Sequence, residues 1–480
     1  MGAEADVSEG PAAKDGDPRL VDVAPRGDIV LDVTFETSPE TLKKCRKAAQ
    51  AAAKKRGPSS RPESLVVAQP AFHAKVRVAY RASLDALMKH SKYFANLLSN
   101  PHFQESKLIT DAHARIASQD REPKDAEASE LPWIPISDDD EATRMAGRES
   151  IFEDLLLILH GKSPKATHAT MSYVTTLAIT ADRFDCAPVI SHGLKDELKF
   201  KWPNTRTRPY RDDAGRLTDV EQTLRQKILA SWLLNRPVLQ ASTKELILRG
   251  SRIWYTFNDA EADADAGASW WNLSDGLEYE LQYRRECILN TIASVQRHFL
   301  DLYSSRERQC KLGYDSSAAC DSFQLGQMLK FLLSKNLAFL VDFSPASLDS
   351  LPDASMLDIE DLLSTLKQCP NYQIDKHHTN CGLRIRIEPI VDYIRAMLSS
   401  DAVFVSPSDW SRNRAAVSWA ASTKEANGDG RVEEERPGRA FAFTRALAND
   451  PRLRYEGTMY ASSMAKKLFL AESWDWTPEI

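Results

Sequence analysis

Between Gly276 and Tyr303 the apolar residues Leu277, Leu281, Ile288, Ile292, Val295, Phe299 and Leu302 recur at three-, four- and seven-residue steps. That spacing lays one apolar stripe along a long α-helix, and it is the strongest periodic signal in the chain. The residues around it read the same way. Amphipathic helices are predicted at 221–234, 243–252, 322–334 and 356–366, with short ones near Phe441 and Ser462. Leu383, Ile385 and Ile387 alternate with Arg384 and Arg386, which predicts a short strand; Pro389 then opens a helix to Met397. Residues 423–438 (TKEANGDGRVEEERPG) form a charged linker, and no internal repeat is present.

Before Trp202 the period changes. Residues 27–35 and 75–80 alternate apolar and polar side chains and predict strands. A helix over 83–98 follows, with Leu84, Leu87, Phe94, Leu97 and Leu98 on one stripe. Trp133-Ile134-Pro135-Ile136 predicts a short strand, its prolines favouring an edge. Helices are expected at 151–160, 170–183 and 189–200. Residues 1–26 are Ala/Gly/Pro/Asp-rich and expected to be disordered. Two stretches, 38–72 and 111–130, read as inserted loops, the first with a helix-capable Ala/Lys piece at 42–56.

Composition removes several function classes. Glycine is scarce, 19 in 480 residues, and the only close pair is Gly428-Asp429-Gly430, so no GxGxxG, GxxxxGK[ST] or GxSxG motif exists. None of the ten histidines precedes a glutamate, which removes HExxH. The net charge of −6 supplies no overall field for nucleic acid. No apolar run reaches membrane-spanning length; the best, 328–341, is broken by Lys330, Ser334, Lys335 and Asn336. The acidic, polar N-terminus lacks the pattern of a signal peptide, and seven cysteines are few and odd in number. A reducing compartment, cytosol or nucleus, is the expectation.

The order strand, strand, helix, strand, three helices resembles a BTB (POZ) domain. The residues that carry the likeness are Asp28-Ile29-Val30-Leu31, the run Ser91 to Leu98 (SKYFANLL) and Phe103-Gln104-Glu105. Two further segments, Phe152 to Gly161 and Leu177 to Cys186 (LAITADRFDC), are similar to BTB-like proteins of filamentous fungi. Lys92 stands where the family has proline. The resemblance covers about 27–202 and implies an α+β fold, with a BTB-like domain followed by a mostly helical region over 203–400 and a tail over 401–480. It also implies a non-catalytic protein–protein interaction or adaptor protein that self-associates as a homodimer. Where a BTB protein serves a cullin-type ubiquitin ligase, a hydrophobic-x-Glu triplet helps contact the cullin, which makes Phe103 and Glu105 candidate partner-binding residues. The alternative is a nuclear scaffold or transcription-associated regulator. An enzyme, a membrane protein and a nucleic-acid binder are the disfavoured classes.

Three clusters remain. Lys43, Lys44, Arg46 and Lys47, then Lys54, Lys55 and Arg56, have the spacing of a bipartite nuclear-import signal; a solvated Ala/Lys helix gives the same pattern. Asp138-Asp139-Asp140-Glu141 lacks the alternation and central glycine of a calcium loop and reads as solvated carboxylates. The third cluster combines Cys310 and Cys320 with Cys369-x7-His377-His378-x2-Cys381. Zinc takes four such soft or borderline ligands in a tetrahedron, often two from each of two loops. A structural zinc on some of Cys310, Cys320, Cys369, His378 and Cys381 is one expectation, with Gly382 allowing a tight turn. Core thiols that merely pack near one another is the other.

Overall fold

The structure, a computed structural model, describes residues 18–55, 72–254, 268–310, 312, 317–340, 357–379, 381–421 and 461–470. The chain is mixed α+β and mostly helical, and it divides into two compact units, 1–203 with 262–271 and 204–261 with 272–480.

The first unit is built on a four-stranded mixed sheet of order β1-β3-β2-β4, with β1 Arg19–Asp22, β2 Ile29–Glu36, β3 Lys75–Ala82 and β4 Trp133–Asp138. β2 runs antiparallel to β3, while β1 and β4 lie parallel to their neighbours at the edges. Period-two alternation divides β2 between two faces. Leu31, Val33 and Phe35 point toward helix α5 (Arg148–Leu159), where Phe152 meets Phe35 and Tyr80 at 5.8 and 5.3 Å between ring centroids. On the other face Val30 and Ala79 pack with Ile116, Ala126 and Leu131. Ten of the twelve α5 residues are buried, so it is a core helix rather than an amphipathic surface one.

Five expectations change here. Of residues 1–26, the described part is ordered: β1 pairs with β3 from Arg19↔Val78 to Asp22↔Arg81, and Lys162 donates to the Val23 carbonyl at 2.6 Å. Residues 1–17 lie outside the described residues. The helix expected over 83–98 is two, α2 Leu84–His90 and α3 Lys92–Ser99. Ser91 divides them: its hydroxyl accepts from the Phe94 N–H and donates to the Phe184 carbonyl at 2.6 Å, and its backbone is extended. The stretch 111–130 is not all loop, because α4 (Gln104–Ala117) runs into it with Ile109, Ala112 and Ile116 buried at helical spacing. The stretch 38–72 begins as helix α1, Pro39–Lys55; residues 56–71 lie outside the described residues. The acidic run is solvated only at Asp139 and Glu141. Asp138 is gripped by Arg148 and Arg183 at 2.7 and 2.9 Å, and the Asp140 carboxylate accepts from the backbone and hydroxyl of Ser38.

The remaining helices of the first unit are α6 Met171–Arg183 and α7 Ala187–Asp196. In the second unit α8 (Val220–Leu233) and α9 (Val238–Arg249) precede α10, Leu277–Ser304. Eighteen of the 28 residues of α10 are buried, far more than one stripe, so this helix runs through the core of its unit. Its buried charges are satisfied locally. Arg284 pairs with Glu280 at 2.7 Å and donates to the carbonyls of Ala402, Phe404 and Val417, while Glu280 accepts from Ser418 and Trp419. These bonds fasten residues 402–419 along the helix. α11 (Ser317–Ser334), α12 (Ile359–Leu366), α13 (Leu383–Leu398) and a terminal helix (Ala461–Leu470) complete the packing.

The strand expected at 383–387 is the start of α13, and Pro389 is its seventh residue rather than its opening. Leu383, Ile387, Ile390, Val391, Ile394 and Leu398 are all buried. That stripe carries the helical period straight through the proline, and a three-residue alternation was too short a window to distinguish the two periods. The linker at 423–438 and the helix near Phe441 lie outside the described residues.

Candidate metal centre

Three short segments of the second unit converge at one end of α10. Past its C-terminus the chain reaches Cys310, 4% exposed. Cys320 lies in the first turn of α11 and is fully buried, and Cys381 stands two residues before α13 at 3% exposed. The sulfurs of these three all lie within 4.8 Å of one another, and Leu312 packs against them. Cys310 and Cys381 are 3.7 Å apart. Two sulfurs bonded to one zinc at about 2.3 Å and at the tetrahedral angle stand roughly 3.8 Å apart, whereas a disulfide needs about 2.05 Å. None of the three forms a disulfide. The cluster can hold a metal ion.

The surrounding side chains fix the segments. Arg386 donates to the backbone and side-chain oxygens of Gln309, the neighbour of Cys310. Tyr303 donates to the Cys381 carbonyl at 3.4 Å. Gln324 of α11 bridges the Tyr372 carbonyl and the Leu383 N–H. Gly382 has an ordinary φ of −66°, so its role is space rather than a left-handed turn. A Cβ there would stand 2.5 Å from Asn371 Oδ1.

Electrostatically the three thiols act on one another. At Cys310 burial opposes ionisation, but hydrogen bonds from the Leu312 backbone and from the Cys381, Ser317 and Cys320 side chains outweigh it and lower the thiol pKa. At Cys320 burial and then the charges of Cys381 and Cys310 push the pKa well above the ordinary thiol range. One thiolate is therefore stabilised and further ones are opposed, a balance that a bound cation reverses.

His378, 2% exposed, lies beside Cys310. Its Nδ1 is 2.8 Å from Asp375 Oδ1, and this bond, opposed by burial and assisted by the Asp375 and Cys310 charges, raises the imidazole pKa. Its Nε2 is buried and makes no hydrogen bond. Cys369 is not part of the cluster; its sulfur lies 3.9 Å from the Pro370 carbonyl. Asp375 escaped the sequence reading, although Asp-x2-His was visible as a possible carboxylate–imidazole pair.

The other candidates lie elsewhere. Phe103 is 39% exposed at the residue before α4, and Glu105 occupies that helix's first turn. Lys43, Lys44, Arg46 and Lys47 share α1, with Lys43, Arg46 and Lys47 exposed. Lys54 and Lys55 end that helix with side chains outside the described residues, as is Arg56. Among the described residues no helix is long and apolar enough to cross a membrane. Compared with protein-family models, curated proteins and solved structures, the chain matches none.

Proposed function

We propose that this is a non-catalytic interaction protein whose second unit is fastened by a structural zinc ion on the thiolates of Cys310, Cys320 and Cys381. The observation that carries the zinc reading is the convergence of three buried sulfurs from separate segments at a spacing one tetrahedral ion spans. Sulfur donors select zinc over magnesium or calcium, which take oxygen. The ion joins the segment after α10, the start of α11 and the segment before α13. Because the unfolded chain offers no such site, binding energy is folding energy, on the order of 10 kcal/mol for structural zinc. Metal analysis of the purified full chain tests it. One zinc per chain and a melting temperature lowered by chelator are expected; less than a tenth of an equivalent, with melting unchanged by chelator, removes the reading.

The interaction reading rests on the first unit. Its β2, β3, α2–α3, β4 and α5–α7 follow the element order on which the BTB resemblance was drawn, with β1, α1 and α4 in addition. In this reading the unit self-associates, and Phe103 with Glu105 contacts a cullin; the exposure of Phe103 supports it. Light scattering is expected to give a dimer mass at micromolar concentration, and a monomer counts against self-association. Co-purification of a cullin, lost on Phe103→Ala with Glu105→Ala, is the expected adaptor result. The nuclear-scaffold reading is favoured by one observation, the exposure of Lys43, Arg46 and Lys47 on one helix. Nuclear fluorescence that persists after these are neutralised removes that reading.

A further inference from the structure

The geometry points to a closed Cys3His centre in which His378 supplies the fourth ligand through Nε2 and Asp375 aligns it. This rests on the zinc reading above and completes its ligand set.

Three observations converge on His378. Its Nε2 is buried with no hydrogen bond, whereas the Tyr303 and Gln324 side chains that hold the same segments are bonded. An orphaned ring nitrogen in a dry site is costly unless something occupies its lone pair. Its Nδ1 faces the Asp375 carboxylate at 2.8 Å, and a carboxylate only accepts, so Nδ1 carries a proton and, in the neutral ring, Nε2 presents the lone pair. Finally, the ring lies beside Cys310, one of the three sulfurs. Carboxylate, imidazole and metal in that order is the arrangement by which proteins orient a histidine ligand.

The local backbone explains how the chain delivers the group. Asp375 Oδ1 also accepts the His377 N–H at 2.8 Å, and the Asp375 carbonyl accepts from His378 N. The His378 carbonyl in turn accepts from Cys381 N at 3.3 Å. The turn places His378 and Cys381 on one side and leaves His377 exposed. The mutually close ligand atoms are the three sulfurs, without the Cys369 sulfur or the His378 nitrogens, so the His378 ring, already beside Cys310, must close on the ion as it binds. Four protein ligands leave no position for water or substrate, so the centre holds structure and performs no chemistry.

The test uses the full chain, stripped of metal and titrated with cobalt(II), whose visible bands report the ligand set, and with zinc in competition with a chromogenic chelator. Wild type and Cys369→Ser are expected to bind one equivalent with the same tetrahedral spectrum. His378→Ala is expected to lose tenfold or more in affinity and to change the bands as oxygen replaces nitrogen. His378→Cys is expected to retain the metal with its bands shifted to lower energy, as a fourth thiolate replaces the stronger-field imidazole; this variant guards against a general folding defect in the alanine variant. Asp375→Ala is expected to lose roughly ten- to a hundredfold, and Asp375→Asn, which still accepts from Nδ1–H, to recover most of it. If wild type binds no metal, both readings fail. If wild type binds metal but His378→Ala leaves spectrum and affinity unchanged, or Cys369→Ser abolishes binding, the zinc stands and the fourth-ligand assignment is overturned.

Discussion

Arg148 is 3% exposed and donates to the Asp138 carboxylate and to the carbonyls of Glu36, Asp138 and Met145. It thereby ties the ends of β2 and β4 to the start of α5. Removing one partner of a buried pair costs about 3–5 kcal/mol, because the groups left behind are neither paired nor hydrated. Asp138 keeps Arg183, so Arg148→Ala is expected at the lower end, about 3 kcal/mol by urea unfolding. Arg148→Lys should recover little, since one ammonium cannot span those acceptors. A loss under about 1 kcal/mol, well short of that range, would contradict this account of the sheet's edge. Cys369 makes a different prediction. Burial pushes its thiol up to about 11, from an ordinary 9.0, with Arg384 opposing. The unfolded chain therefore releases this proton first: the contribution to stability is full below pH 9 and is lost as the pH rises to about 11. Cys369→Ala should flatten that part of the stability curve. For the same reason brief alkylation at pH 8 should modify half-buried Cys45 before Cys369, and early labelling of Cys369 by mass spectrometry contradicts its placement.

Helix boundaries are set by single hydrogen bonds as much as by apolar period. Ser91→Ala removes the cap of α3 and leaves the buried Phe184 carbonyl short of a donor, which should cost about 1–2 kcal/mol. Ser91→Asp should restore the cap but not the donated bond, and so recover only part. This break was hard to read from sequence because Leu84, Leu87, Phe94 and Leu98 keep a helical stripe across it. Long stripes were legible: α10 begins and ends within a residue of its expected bounds. Short or polar elements were not. β1 is held by the ladder to β3 while its Leu20 stays 45% exposed, so no apolar pattern announces it. α4 enters a polar stretch because three well-spaced residues suffice to bury one face. The thiol cluster was legible as chemistry but not as geometry. Cys310 and Cys381 are 71 residues apart, and only packing shows that they meet while Cys369, far closer to Cys381 in sequence than Cys310 is, does not join them.

At the scale of the whole chain, two compact units with separate cores predict two separable unfolding steps. Chelator should lower the step belonging to the second unit and leave that of the first in place. A single transition shifted as a whole contradicts that division of labour. An ion that joins three segments around the end of α10 is read directly by zinc-edge X-ray absorption on the full chain. The expected shell is three sulfurs at about 2.3 Å and one nitrogen at about 2.0 Å; a shell of oxygen and nitrogen alone, or a chain that carries no zinc, contradicts it.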